Sequence, residues 1–414
     1  MAQTATRSNK FVLAGMLSAV AASSIYVMRR GDLDTYIHAG YAVLLKRDIY
    51  TSQPPGNNTW PPFFSVLCVP LALLDTVTPY LARGVWVAMT WVAILFALHL
   101  MARLVYGKTL SFRTRPPESS LWVGSPQLMI PLFLTLYYFM DNFAHHQIDV
   151  LLFTVTLGGL YLQSTGRGRL GGMMLGATAA TKVMPMAFLP YLLYRRRWRA
   201  AAWGSATAAI LSLSPALIFG WRTFLHYGAA WLQIARNDWD PRFRNVSVYA
   251  MWDRIVGHGL FPFAQPGAGT LAWSGAPWVS AAYGLTLALA VGASLWVFRR
   301  ETPPASRGAH LEWSVVFIAS AIFGPVGWAH YLVVMLLPNA ILFAAWRYGP
   351  LAPRARRVVG GILLASLLFT IPIPHGRLDT APLITWAALL MIAGLLWCAA
   401  KFPVALAKEQ DPGA

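Results

Sequence analysis

The sequence predicts an all-α polytopic integral membrane protein of about ten to twelve transmembrane helices, a single domain over residues 1–414. Three observations predict it. Hydrophobic residues make up 57% of the 414 and charged residues only 12%, a balance that excludes a soluble globule. Apolar runs of roughly 17 to 25 residues recur along the chain, the length that crosses a bilayer as a helix. Period-two alternation is absent and the runs are too long for barrel strands, so the backbone must satisfy its polar groups within helices.

The elements follow in order. Arg7 and Lys10 precede the apolar run from Phe11 to Met28, which reads as an uncleaved first anchor, although Ala19-Val20-Ala21 is an acceptable cleavage-like stretch. The positive-inside rule puts the N-terminus in the cytoplasm and makes 29–61 the first extracytoplasmic loop. Within it, Tyr36, Ala39, Tyr41, Ala42, Leu44 and Leu45 form an amphipathic pattern that suits a helix in the interface, and Pro54 to Asn58 break the chain before Trp60-Pro61-Pro62. Phe63 to Leu74 is short, a full helix or a partial entry, and Tyr80 to Leu104 is long. A span over about Leu121 to Met140 leads outward to 141–149, and Val150 to Gln163 returns to the basic turn at 166–169. Leu170 to Tyr194 has positive charge at both ends, so it reads as a broken hairpin with Lys182 and Pro185 near its outer apex. Ala200 to Phe219 leads to a long extracytoplasmic loop, 221–275, and further pairs of spans follow with outer turns at 324–331 and 372–380.

A net charge of +18 invites a nucleic-acid reading, but the Lys and Arg clusters (195–199, 299–300, 354–357) fall in short loops between apolar runs. They are topology signals, with anionic lipid headgroups as their natural partner, and no nucleic acid is expected. Cys68 and Cys398 lie far apart in apolar stretches, which argues against a disulfide framework or a zinc site.

The polar residues that survive near apolar helices gather at the outer face: Asp32, Asp34, His145, His146, Gln147, Asp149, Lys182, Asn245, Arg254 and His330. Only 15 acidic residues exist in the chain, so the pair Asp32 and Asp34, followed by Tyr36, suggests proton transfer or cation binding, against the plainer reading of a solvated loop start. Lys182 interrupts an Ala/Thr/Val run and is costly there unless it meets an anion or snorkels to the interface; phosphate is the natural anion at a lipid surface. A histidine such as His330 is more often a packing or capping residue than a catalyst. Trp60, Trp239, Trp252 and Trp273 suit either sugar stacking or an interfacial aromatic belt. Asn57-Asn58-Thr59 and Asn245-Val246-Ser247 match the glycosylation sequon, a pattern common by chance.

Asp32-Leu33-Asp34-Thr35-Tyr36, Asp48-Ile49-Tyr50, Trp60-Pro61-Pro62-Phe63-Phe64, His146-Gln147-Ile148-Asp149, Gly172 to Gly176 with Thr181-Lys182-Val183-Met184-Pro185, Asn245-Val246-Ser247 with Arg254, and Pro325 to Tyr331 occur in an order that resembles glycosyltransferase family 87, polyprenyl-phosphate-sugar-dependent enzymes that include mycobacterial mannosyltransferases. The order carries the resemblance more than any one motif. Three positions depart from the family pattern: Asp149 stands where Asn is usual, His146 where Gly is usual, and Ala329 where Glu is frequent. These bear on the identity of the sugar or acceptor.

The resemblance implies a C-type glycosyltransferase fold and an inverting transfer, with mannose the first choice, from a polyprenyl phosphate to a glycolipid, glycan or protein acceptor. It implies a multi-pass protein of a bacterial inner (plasma) membrane with its active site on the extracytoplasmic side. Asp32 matches the family's catalytic aspartate by its offset from Tyr36, with Asp34 in reserve and His330 near the phosphate or acceptor. Lys182, with Arg254 or Arg244, would hold the donor phosphate, and Tyr36, Trp60, His146, Gln147, Asp149 and Asn245 would contact substrate. Carboxylate pairs also ligate Mg, Ca or Mn, but no cofactor and no obligatory divalent metal is expected, and a monomer is expected over an oligomer. The rival class is an ion-coupled transporter or lipid-linked sugar flippase, whose signs would be inverted repeats and charges at the bilayer midplane.

Overall fold

In a computed structural model of the chain, the described residues are 31–51, 58–237, 245–259, 274–324, 326–369 and 381–401, with scattered positions between 15 and 29. They are almost wholly helical. Five helical stretches among them are long and apolar enough to cross a membrane: Pro79–Tyr106, Trp198–Phe219, Pro277–Val297, Ala329–Tyr348 and Leu383–Lys401. The protein is therefore a multi-pass membrane protein. Several other expected spans are present as shorter or interrupted helices.

The first outer loop opens with helix α1 (Asp32–Leu44). The segment after Trp60 is split into α2 (Pro62–Leu67) and α3 (Val69–Val77), and α4 (Pro79–Tyr106) is the long span. A two-stranded parallel ladder, β1 (Thr109–Ser111) with β2 (Ser120–Trp122), is an exception to the all-α expectation. The span expected over 121–140 is instead α5 (Pro126–Leu134) and α6 (Leu136–Ala144). Here the Thr135 hydroxyl donates to the Pro131 carbonyl at 2.7 Å, the acceptor a helical N–H would use, while the Thr135 N–H turns to Leu132 at 3.1 Å.

Helix α7 (Asp149–Ser164) returns, and α8 (Gly168–Thr181) ends where Lys182 takes an extended conformation, followed by a 3₁₀ turn (Met184–Ala187) and α9 (Phe188–Tyr194). The expected break at Lys182 is thus present. Helix α10 (Trp198–Leu213) packs against α8 at backbone distance: a Cβ on Gly172 or Gly176 would lie 2.2 or 2.1 Å from the carbonyls of Ala200 and Gly204. Small residues four apart permit this approach, a usual way for helices to associate in lipid.

After α11 (Pro215–Phe219), the expected long loop begins instead with the seventeen-residue helix α12 (Trp221–Asn237). Its buried Tyr227 packs with Ala42, Val43 and Ile49, and the Trp231 indole donates to the Thr59 carbonyl at 3.2 Å. The remaining helices are α13 (Val248–Trp252), which runs into a π turn (Asp253–Gly257), then α14 (Pro277–Val297), α15 (Arg307–Ile322), a 3₁₀ segment (Ala329–Met335), α16 (Leu336–Tyr348), α17 (Pro353–Leu368) and α18 (Ala381–Lys401).

The chain forms two compact units, one of residues 1–103, 108–126 and 140–236, the other of 104–107, 127–139 and 237–414. The core of the first around its outer loop joins Leu33, Tyr36 and Ile37 of α1 to Trp60, Phe64, Trp86, Ile148 and Leu152. The second is centred on α15, the 3₁₀ segment and α16, with Trp313, Phe317, Leu332 and Leu336 fully enclosed.

Candidate active site

In the first unit the acidic pair occupies the first turn of α1, and its members have different tasks. The Asp34 carboxylate accepts the Gly31 N–H at 3.0 Å, fixing the helix start, and forms an ion pair with Arg83 of α4. Arg83 also donates to the carbonyls of Val27 and Arg29, so it ties that stretch of chain to α1. Asp32 instead accepts a short hydrogen bond from the Gln147 side-chain amide. The Gln147 carbonyl oxygen accepts the Tyr36 hydroxyl at 3.0 Å, and the Asp32 N–H donates to the His145 carbonyl at 3.2 Å. A single glutamine amide therefore orients both the carboxylate and the phenol.

His146, within this corner, has φ of 55°, the left-handed region where a side chain is disfavoured. The glycine that the family resemblance expects here would adopt it freely. Gly31 lies directly beneath the His146 ring, where a Cβ would approach Nδ1 to 2.2 Å.

Lys182 and Asp149 form an ion pair at 2.7 Å, with Lys182 8% exposed and Asp149 fully enclosed. The break after Thr181 lets this happen: extended backbone at Lys182 aims its side chain back at the first turn of α7. The ammonium also lies 4.7 Å from the centre of the Trp60 ring, a cation–π contact, and the Asp32 charge acts on it electrostatically. Trp60 is held by a stack on Phe64 at 4.6 Å and an edge contact from Tyr36 at 5.5 Å. Its carbonyl accepts the Tyr50 hydroxyl at 2.8 Å; burial, then the neighbouring Asp48 carboxylate, push the Tyr50 phenol above its ordinary range, so it remains a donor. Asp32, Tyr36, Trp60, Gln147, Asp149 and Lys182 thus form one constellation of a carboxylate, a charged pair and an aromatic wall.

The second unit holds Asn245, Arg254 and His330. Asn245 is wholly buried; its Oδ1 accepts the N–H groups of Ser247 at 2.9 Å and Gly327 at 3.0 Å, and its carbonyl accepts from the Arg254 guanidinium at 3.1 Å. The Val246 N–H donates to the Gly327 carbonyl at 2.7 Å and the Thr385 hydroxyl to the Val246 carbonyl at 2.8 Å. These bonds make Asn245 a fastening of two loops, with the Arg254 guanidinium held against its carbonyl. Next to them, Asp253 accepts the Ser274 hydroxyl at 2.6 Å and lies 3.3 Å from His258. His330, buried on the 3₁₀ segment, has Tyr331 across its ring at 5.1 Å and Trp328 nearly parallel at 6.5 Å, a packing environment. Arg244, Trp239 and Trp273 lie outside the described residues.

Sequence reasoning missed Arg83 and the partner of Lys182. The signal for Arg83 was present, an arginine in the second turn of an otherwise apolar long helix.

Residues 58–321 match the profile of glycosyltransferase family 87. The chain is 27% identical over 399 residues to a polyprenol-phosphate-mannose-dependent alpha-(1-2)-phosphatidylinositol mannoside mannosyltransferase of Mycobacterium tuberculosis, covering 91% of this chain and 84% of the relative. It is 28% identical over 404 residues to the protein of the same name from Mycolicibacterium smegmatis, covering 89% and 84%. Among solved structures it is similar to ArnT from Cupriavidus metallidurans bound to undecaprenyl phosphate, at 13% identity over 93% of this chain and 77% of that chain, with a TM-score of 0.43. The family match takes in well over half of the residues, and the chain, a multi-pass membrane protein, belongs to glycosyltransferase family 87.

Proposed function

We propose that the protein transfers mannose from polyprenyl-phosphate mannose to a glycolipid acceptor, with inversion at the anomeric carbon, on the extracytoplasmic face of a bacterial plasma membrane. The observation that carries this reading is the constellation of the first unit, where Gln147, two residues before Asp149, holds the Asp32 carboxylate, and Asp149 pairs with Lys182, whose ammonium lies over the Trp60 ring. The named relatives use polyprenol-phosphate mannose and act on phosphatidylinositol mannosides, which supports mannose and a glycolipid as the substrate classes.

The chemistry follows from the charges. The donor is a phosphodiester whose bond from the sugar C1 to the phosphate oxygen breaks, and that oxygen keeps the electron pair. Lys182 stabilises the growing negative charge. The acceptor hydroxyl attacks C1 from the opposite face, and its proton goes to Asp32, which Gln147 keeps oriented. Asp34 is spent on Arg83 and the helix start. Trp60 holds the Lys182 ammonium against its ring and so fixes where the phosphate-binding charge sits. Lysine supplies the cation at the phosphate, so no obligatory divalent metal takes part, and the enzyme acts as a monomer.

The test is transfer by the purified chain in lipid nanodiscs, with radiolabelled polyprenyl-phosphate mannose and a mannolipid acceptor. Asp32→Asn is expected to abolish turnover while the donor still binds. Failure to consume the donor with any mannolipid acceptor would sink the enzyme reading, and donor-dependent lipid translocation by Asp32→Asn would favour a flippase.

A further inference from the structure

The proposed phosphate-binding lysine is already paired. Asp149 Oδ1 lies 2.7 Å from Lys182 Nζ, and the carboxylate is wholly enclosed. A site built only to attract a phosphate would leave the cation without a competing anion, as an uncharged amide in place of Asp149 would. The reason to add a carboxylate lies in what the reaction does to the phosphate. The donor phosphodiester carries one negative charge. Once the bond to the sugar C1 has broken and the electron pair has stayed on oxygen, the product is a phosphate monoester with about −1.5 to −2 charges at neutral pH. A lysine in a low-dielectric pocket would therefore hold the spent lipid more tightly than the substrate, and release would limit turnover.

We propose that Asp149 is a built-in counter-ion that weakens the grip of Lys182 on phosphate, and most of all on the spent polyprenyl phosphate, so that the product leaves. The inference rests on the reading of Lys182 as the donor-phosphate ligand. Asp149 acts through the lysine and touches no reacting atom, so it is a positioning residue. Geometry supports this: α7 presents Asp149 from its first turn, on the same short stretch as Gln147, which holds Asp32. The residue that orients the base and the counter-ion are thus two positions apart in the chain.

The experiment compares wild type with Asp149→Asn in nanodiscs. Product inhibition by polyprenyl phosphate is expected to tighten on the order of tenfold, the low end for removing one member of a close buried charge pair. The donor KM should fall by less, and kcat should fall as release becomes slower. Below about pH 6, where the phosphate monoester dianion takes up a proton and becomes a monoanion like the donor, the difference between variant and wild type should shrink. Asp149→Glu, which keeps the charge, is expected to stay within about threefold of wild type if charge sets the affinity.

An unchanged or weaker product inhibition in Asp149→Asn overturns the counter-ion role, as does an Asp149→Glu variant that behaves like Asn. Lys182→Met separates this from the underlying reading. If that variant leaves the donor KM unchanged, the phosphate role of Lys182 itself fails. If it raises KM while Asp149→Asn leaves product inhibition unaltered, only the counter-ion role fails.

Discussion

The two units of this molecule enclose polar side chains to opposite ends. In the first, buried charge meets charge: the Asp149 carboxylate on the Lys182 ammonium. In the second, the polar groups around Asn245 meet mostly backbone: Asn245 on the N–H groups of Ser247 and Gly327, and Arg254 on the Asn245 carbonyl, with Asp253 lying 3.3 Å from His258 next to them. Both patterns look alike in the sequence, as rare polar residues among apolar ones. The difference teaches that a rare polar residue is sorted by its partner: Lys182 meets a carboxylate, whereas the Asn245 amide closes two loops on backbone N–H groups.

Asp32→Asn should break this contrast most visibly. Transfer is expected to drop by about 10²–10⁴-fold, the usual worth of a positioned general base, with the melting temperature nearly unchanged. Turnover of radiolabelled donor and a thermal melt check both halves. An active variant would move the base elsewhere and remove the asymmetry between the units.

Gln147→Leu comes next. The leucine fills similar volume but holds neither Asp32 nor the Tyr36 hydroxyl, so kcat should fall by roughly 10- to 100-fold through misorientation, with donor KM little altered. A rise in KM with unchanged kcat would instead give Gln147 a substrate contact.

The matching change in the second unit is Asn245→Ala. Two buried N–H groups lose their acceptor, at a cost of about 1–3 kcal/mol each, so the expected outcome is a lowered melting temperature with kcat of the folded fraction within a few fold of wild type. A catalytic loss without a stability loss would place Asn245 at the substrate.

How much of this was legible follows from distance along the chain. The break near Lys182 was visible, because positive charge at both ends of 170–194 makes the segment turn back and Pro185 disrupts a continuous helix. The acidic pair stood out because acids are scarce. The partners did not: Asp149 lies 33 positions from Lys182 and Arg83 49 from Asp34, and no local spacing connects them. Hydropathy read 121–140 as one span because it weighs apolarity and ignores a hydroxyl that captures a carbonyl, as Thr135 does. It read 221–237 as loop because Arg222, His226 and Arg236 dilute the average, although Trp221, Phe224, Leu225, Gly228, Trp231 and Leu232 recur at helical spacing.

The smallest effect is expected at Asp34, and it sharpens the contrast within the acidic pair. Asp34 has a cation partner and a helix-start bond, and the side chains of Asp34 and Arg83 are 28% and 15% exposed, so solvent screens their attraction. Asp34→Asn keeps an oxygen for the Gly31 N–H and loses only the ion pair, worth about 1 kcal/mol at such exposure. Transfer should stay within a few fold of wild type, and chelation of divalent cations should alter neither variant nor parent, since one carboxylate faces arginine and the other an amide. A fall at Asp34→Asn as deep as that at Asp32→Asn would mean that the two carboxylates act as a pair. The arginine would then serve the reaction by holding one charge beside the other.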